Sequence, residues 1–329
     1  MKRALCLLLI CLCCTGCSAL PPEERAFCVA LLIDGSAEDC RVFVRVPTYQ
    51  DSGGYQTLSA QGATLTDALR TLESAAPMRL HWGQLRLIVL SQAWAAEIPI
   101  VRTLSDLSGV ENLRLHASVA VTTARIEDLA EKLVPESGTR LSKTIDVMVQ
   151  ARHEQGVMPT CAASVLLRFG SRQSPVLGGA EISGEGFLLG GAWLTDESGL
   201  VRDFLTPEET QLLLLMQGDL TRTQLLLPDH ALHLTEARSR VRLTDSEASC
   251  RIDLRYDHAD LTPQAVSAET AQACLRVLQR LQAIGCDALG LGRQAIRDSL
   301  HMADWRACDF PSRLQQLCWT VEVRSEPAA

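Results

Sequence analysis

Residues 113–133 read LRLHASVAVTTARIEDLAEKL, and this stretch joins the two patterns that decide the fold. From Leu113 to Val121 apolar and polar residues alternate, which predicts a strand with one buried and one wet face. From Arg125 to Leu133 the apolar residues recur with helical spacing. A strand followed directly by an amphipathic helix indicates a layered fold in which helices pack on a sheet.

The same alternation of strands and helices extends through the first half of the chain. Thr64 can cap one helix, and Ser91 begins another directly after an apolar run. We therefore predict an N-terminal α/β domain over residues 26–177. Its other predicted strands are 27–33, 41–46 and 85–90, and its other helices include 62–77 and 141–152.

The second half is richer in strands, and we predict a C-terminal α+β domain over residues 178–329. The pair Gly178-Gly179 marks the boundary, and a hairpin follows across residues 196–199. Residues 206–209 (TPEE) predict a capping box, with Thr206 as the N-cap. The remaining predicted strands are 220–227, 231–243, 248–256 and 317–323, and the main helix is 268–284. The fold class is thus α/β or mixed α+β, with mixed or antiparallel sheets flanked by helices.

The first seventeen residues predict export. Lys2 and Arg3 precede an apolar run over residues 4–14, which is too short to span a bilayer as a helix. Small residues then stand directly before Cys17, as in bacterial lipoproteins. An ordinary secretory signal, cut nearby, is the alternative.

On the lipoprotein interpretation, residues 1–16 are a signal peptide and Cys17 is the lipid anchor. Residues 17–25 form a tether, and the domains lie on the outer face of a membrane. Two acyl chains suffice for stable anchoring.

Composition limits the classes of partner and of site. The net charge is −8, and no cluster of five or more basic residues occurs, which argues against a nucleic-acid partner. Thirteen cysteines are present, five of them in the first seventeen residues. The other eight are scattered, without a C-x-x-C pair, so buried free thiols are favoured over a disulfide framework or a zinc site.

The sequence contains no convincing catalytic set. His230 and His233 have helical metal-ligand spacing but fall beside a predicted strand, without an acidic or cysteine partner. Gly290-Leu291-Gly292 lacks the third glycine of a dinucleotide motif, and a helix C-cap and turn explain it. Ser164 and Ser183 lack a nucleophile elbow. We therefore predict a non-enzymatic protein with no cofactor and no bound metal.

Five segments in order along the chain resemble the Ger(x)C family of spore germination lipoproteins. They are residues 30–34 (ALLID), 62–70 (GATLTDALR), 80–91, 190–210 and 285–292 (GCDALGLG), all behind the lipoprotein signal. Their order and spacing, more than any single motif, carry the resemblance.

The resemblance implies a mixed α/β protein that serves as the C subunit of a nutrient germinant receptor. It implies assembly or signalling beside an A-type membrane subunit and a permease-like B-type subunit, on the inner spore membrane and without enzymatic activity. The alternative is a solute-binding lipoprotein of a transporter.

Overall fold

The computed structural model describes residues 24–48, 54–135, 139–151, 155–227, 230–244, 247–257, 261–298 and 309–328. The predicted signal peptide, Cys17 and Cys308 lie outside these residues.

An eight-stranded mixed sheet organises the first part of the described chain. Its strand order is β10-β9-β8-β7-β6-β2-β3-β4, with a parallel centre from β2 to β8 and antiparallel strands on both sides. The short strands β1 and β5 pair separately, in parallel. The strands are β1 (Arg25–Phe27), β2 (Ala30–Gly35), β3 (Cys40–Pro47), β4 (Tyr55–Gly62), β5 (Arg79–His81), β6 (Leu87–Ser91), β7 (Ser118–Thr122), β8 (Val176–Ser183), β9 (Gly186–Thr195) and β10 (Val201–Leu205).

Helices cover both faces of this sheet, because its central strands are apolar on both sides. Leu31 and Ile33 of β2 belong to the core on one face, whereas Ala30 and Leu32 belong to the core on the other. Helices α1, α2, α3 and α6 pack on the first face, and α4 and α5 on the second. Their bounds are α1 (Leu65–Ala75), α2 (Gln92–Glu97), α3 (Ile100–Ser108), α4 (Ile126–Lys132), α5 (Leu141–Ala151) and α6 (Ala162–Gly170).

A four-stranded sheet of order β11-β12-β13-β14 forms the second part. Helix α8 packs on one face of it, against residues of β13 that are buried at every second position. The strands are β11 (Thr223–Leu226), β12 (Ala231–Leu243), β13 (Glu247–Asp257) and β14 (Cys318–Pro327), and the helices are α7 (Pro207–Gln217), α8 (Pro263–Ala283), α9 (Leu291–Asp298) and α10 (Phe310–Gln316).

The mixed α+β class is confirmed, but the boundary predicted at Gly178 falls inside strand β8. Gly178 and Gly179 pair with β7, and the first sheet continues to Leu205. A Cβ on Gly179 would lie 2.3 Å from the carbonyl oxygen of Gly190. Gly179 therefore permits a close approach between strands, and both glycines lie inside the sheet.

The strand predicted from Leu113 is also shorter than the alternation suggested, since β7 begins at Ser118. Residues before it form turns, in which the amide of Ala117 donates to the carbonyl of Arg114 at 3.0 Å. The alternation of apolar and polar residues therefore extends into a turn that is not part of the strand, and Leu115 in this turn is 36% exposed.

Candidate interaction surfaces

The predicted lipid anchor, Cys17, lies seven residues before the first described residue, Glu24. Among the described residues, no helix combines the length and the apolar character needed to cross a membrane.

A cleft of about 700 Å³ lies where β1 and β5 meet α1 and the end of α3. Its volume is in the range of small-ligand and peptide sites. Positively and negatively charged side chains line it, so it suits a partner that also carries charges of both signs. The charged lining residues are Arg25, Arg70, Arg79, Glu73, Asp106 and Glu111.

Two aromatic side chains in the cleft wall have polar atoms that remain unused. Trp82 is 2% exposed, and its Nε1 has no hydrogen-bond partner within the described part of the chain. The buried Nδ1 of His81 also lacks one there, while the His81 ring packs on Phe27 with centroids 5.3 Å apart. Buried polar atoms are normally satisfied. Both atoms are buried and not open to the cleft, and the segment containing them was noted in the sequence only for its resemblance.

The loop that carries the glycines of the late motif is a structural junction. The Asp287 carboxylate accepts from the amides of Leu291 and Gly292, both at 2.8 Å, and so caps α9. Gly290 adopts φ +73°, and a Cβ on Gly292 would lie 3.0 Å from Asp287 Oδ2. The motif therefore caps the beginning of a helix, whereas the sequence predicted a C-cap and turn.

The same loop joins the two parts of the molecule. Ser174, in the loop before β8, accepts from the Asp287 amide at 3.1 Å. Gln217 and Arg168 donate to the carbonyl of Ala288, at 3.0 and 3.4 Å. Burial raises the pKa of Asp287, and the amides that donate to its carboxylate oppose that rise.

A second junction connects α8 to the capping box. Arg280 donates through Nε and Nη2 to the two carboxylate oxygens of Asp203, at 2.9 and 2.7 Å, and through Nη1 to Glu209 at 2.6 Å. Glu209 also accepts from the Thr206 amide at 3.0 Å, and its own amide donates to Thr206 Oγ1 at 3.3 Å. The capping box is confirmed, and it doubles as an anchor for α8.

The histidines and serines considered in the sequence do not converge. His230 Nε2 lies 3.8 Å from Glu269, and His233 is exposed on β12. Ser164 bonds to the backbone of Cys161 at the start of α6, and Ser183 is exposed at the end of β8. Across the described ranges, no three histidine, cysteine or acidic side chains are placed to hold a metal.

All seven described cysteines are free thiols, as the scattered spacing predicted. Burial raises the pKa of Cys28, Cys40, Cys250 and Cys286 from 9.0 to about 12. These thiols stay protonated at neutral pH and act as small apolar core residues. Cys318 is exposed.

Comparison with known proteins identifies both the N-terminal half and the overall architecture. Residues 19–177 match the spore germination protein N-terminal domain. The GerBC protein crystal structure superposes with a TM-score of 0.56 at 11% identity, covering 91% of this chain and 97% of that one. No curated protein matches the chain.

The GerBC superposition establishes the fold, and the domain match places the chain among germination proteins. The motifs at residues 30–34 and 62–70 lie inside the matched region. Residues 19–177 therefore belong to the Ger(x)C family of spore germination proteins, and the chain as a whole shares the GerBC fold.

Proposed function

We propose that this protein is the lipid-anchored C subunit of a nutrient germinant receptor. It acts on the outer face of the inner spore membrane by assembly or signalling with an A-type subunit and a permease-like B-type subunit, without catalysis. The match of residues 19–177 to the germination domain is the observation that carries this proposal.

The proposed anchor has a direct physical consequence. Residues 18–24 span at most about 25 Å when fully extended. A lipid on Cys17 would therefore hold Arg25, and the cleft beside it, close to the membrane surface. Such confinement raises the effective concentration of the domain beside membrane-embedded partners.

Replacing the anchor tests the membrane attachment. Cys17→Ala should move the full-length protein from the membrane fraction to the soluble fraction of a bacterial host, because the lipid is the proposed attachment. Fractionation after a carbonate wash measures this, with Cys318→Ala as the matched control. Retention of the Cys17→Ala protein in washed membranes would contradict the proposal.

Assembly is tested separately. The wild-type chain should co-purify with the A-type or B-type subunit from detergent extracts. Deleting the gene should block the response to a set of nutrients and leave nutrient-independent germination intact.

The solute-binding alternative makes the opposite prediction. Calorimetry with the purified protein and candidate nutrients at millimolar concentration should show no heat of binding. Tight binding to the cleft, without co-purification of receptor subunits, would replace our proposal with a solute-binding function.

A further inference from the structure

The second face of the four-stranded sheet carries charges instead of helices in the part of the chain that is described. On β13 every second residue is exposed, while the residues between them are buried beneath α8. We call this exposed surface of β12, β13 and β14 the arginine face. Its arginines are Arg238, Arg240, Arg242, Arg251, Arg255 and Arg324.

Four of these arginines have acidic partners on the same face. Glu322 accepts from Arg251 at 2.8 Å and from Arg324 at 2.7 Å. Glu236 lies 2.8 Å from Arg238 and 3.4 Å from Arg255. One end of the face is therefore internally neutralised.

The other end has two arginines that form no ion pair in the described part of the chain. Arg240 and Arg242 make no ion pair or hydrogen bond through their side chains among the described residues, and both are exposed. Arg240 stands directly opposite Arg251 in the strand register, and Arg242 stands opposite Ser249. Like charges directly opposite each other destabilise a sheet. The surface depression beside these arginines is lined by four arginines and two acidic residues, in a protein of net charge −8.

The edge of the sheet beside these arginines is closed to another strand. Gln294 of α9 accepts from the amide of Leu243 at 3.3 Å and donates to the carbonyl of Val241 at 3.3 Å. Arg222 donates to the carbonyl of Thr235 at 3.2 Å. Side chains thus occupy backbone groups that an added strand would need. Along this edge, the exposed arginine side chains are the groups that remain available to a partner.

A depression of about 680 Å³ runs along β12 beside the two arginines, which both line it. Guanidinium groups pair with carboxylates through two parallel hydrogen bonds. Six acidic residues lie on the same face: Glu236, Glu247, Asp253, Asp257, Glu322 and Glu326. A uniformly anionic lipid surface would meet these acids, whereas a protein segment can place its carboxylates against Arg240 and Arg242 alone.

We propose that the arginine face docks an acidic segment of a receptor membrane subunit, with carboxylates opposite Arg240 and Arg242. This inference rests on the proposed receptor function and names the charge of the partner surface.

The test compares two double substitutions in the full-length, membrane-bound chain. Arg240→Gln with Arg242→Gln removes the two charges that form no ion pair in the described structure. Arg238→Gln with Arg255→Gln removes two charges from the same face that already have acidic partners, and is the matched control. Co-purification of the A-type and B-type subunits is measured at rising salt, together with the urea midpoint of each variant.

We expect the Arg240/Arg242 variant to recover about fivefold to tenfold less partner at low salt, and to lose the salt dependence seen in the wild type. Its urea midpoint should stay the same or rise, because a like-charge pair is removed. The control should recover partner within about twofold of the wild type.

If both variants recovered as much partner as the wild type does, this inference would be overturned and the proposed function would stand. Failure of the wild type to recover either subunit would overturn the proposed function itself. As a third comparison, the binding of the Cys17→Ala protein to vesicles of phosphatidylglycerol and phosphatidylcholine is measured with and without the Arg240/Arg242 substitutions. If the protein binds the vesicles and the substitutions abolish this binding, the face binds lipid and the protein-partner proposal is overturned.

Discussion

Asp287 shows how one residue can hold together elements that are distant in sequence. Its carboxylate caps α9, and its amide is bound by Ser174 from the first part of the molecule. Gly290 and Gly292 are required beside it, the first for its left-handed backbone and the second for space. The spacing of the glycines is visible in the sequence, but the role of the Asp287 carboxylate as acceptor for the amides of Leu291 and Gly292 is not.

We predict that Asp287→Ala lowers the free energy of unfolding by about 1–3 kcal/mol, because two buried amides lose their acceptor. Urea denaturation measures the change. Asp219→Ala, at an exposed aspartate, is the control and should lie within about 0.5 kcal/mol of wild type. Equal stability of the two variants would show that the cap contributes nothing.

The burial of the cysteines predicts which thiols react with an alkylating reagent. Iodoacetamide at pH 8 should label Cys318 in the native protein and leave Cys28, Cys250 and Cys286 unlabelled, because burial keeps these thiols protonated and inaccessible. Peptide mass spectrometry measures the labelling, with urea-unfolded protein as the control. Native labelling of Cys286 at the rate of Cys318 would contradict the burial.

The same raised pKa values set the direction of alkaline stability. A thiol whose pKa rises from 9.0 to about 12 on folding contributes fully below pH 9. This contribution is lost as the pH increases from 9 towards 12, because only the unfolded thiol ionises. The free energy of unfolding should therefore fall across this window, and less steeply in Cys286→Ala.

At the scale of elements, the sequence predicted the start of α7 correctly. Thr206, Pro207 and Glu209 are local signals, and the capping box needs only a short stretch of chain. The attachment of Arg280 to Glu209 and Asp203 joins residues more than seventy positions apart, so no local pattern could indicate it.

We predict that Thr206→Ala lowers the free energy of unfolding by about 0.5–2 kcal/mol through loss of the N-cap. Thr221→Ala, at an exposed threonine after α7, is the control. Urea denaturation and partner co-purification are measured together. Loss of partner binding at unchanged stability would mean that Thr206 contacts the partner and is not only a cap.

At the scale of the molecule, one core connects the two sheets. Strand residues such as Leu194 and Leu205 of the first sheet lie in the same apolar cluster as Ile252 of the second sheet and Val277 of α8. The cluster therefore crosses the boundary that the sequence suggested at residue 178.

This shared core predicts a single cooperative unfolding transition for the whole described chain. Tryptophan fluorescence should report it from both parts. Trp319→Phe removes the described probe of the second sheet and leaves Trp82, Trp94 and Trp193 in the first part, and the variant should show the wild-type midpoint within error. A second transition that is present in the wild type and lost in Trp319→Phe would mean that the parts unfold independently.

The sequence by itself determined the features that depend on neighbouring residues. It predicted the alternation of strands and helices, the Thr64 and Thr206 caps, the hairpin across residues 196–199 and the free buried thiols. It also carried the ordered motifs of the germination family.

Only the tertiary structure decided which strands share a sheet and which charges are neutralised. Gly178 and Gly179 suggested a domain boundary because a strand and a loop can both contain glycine, and only the pairing with β7 and the approach of Gly190 to Gly179 distinguish the two. Likewise, the sequence does not distinguish the paired arginines of the arginine face from the unpaired ones. Strand register alone gives Arg251 a partner in Glu322 and leaves Arg240 opposite another arginine, because ion pairing depends on distances between strands and not on spacing along the chain.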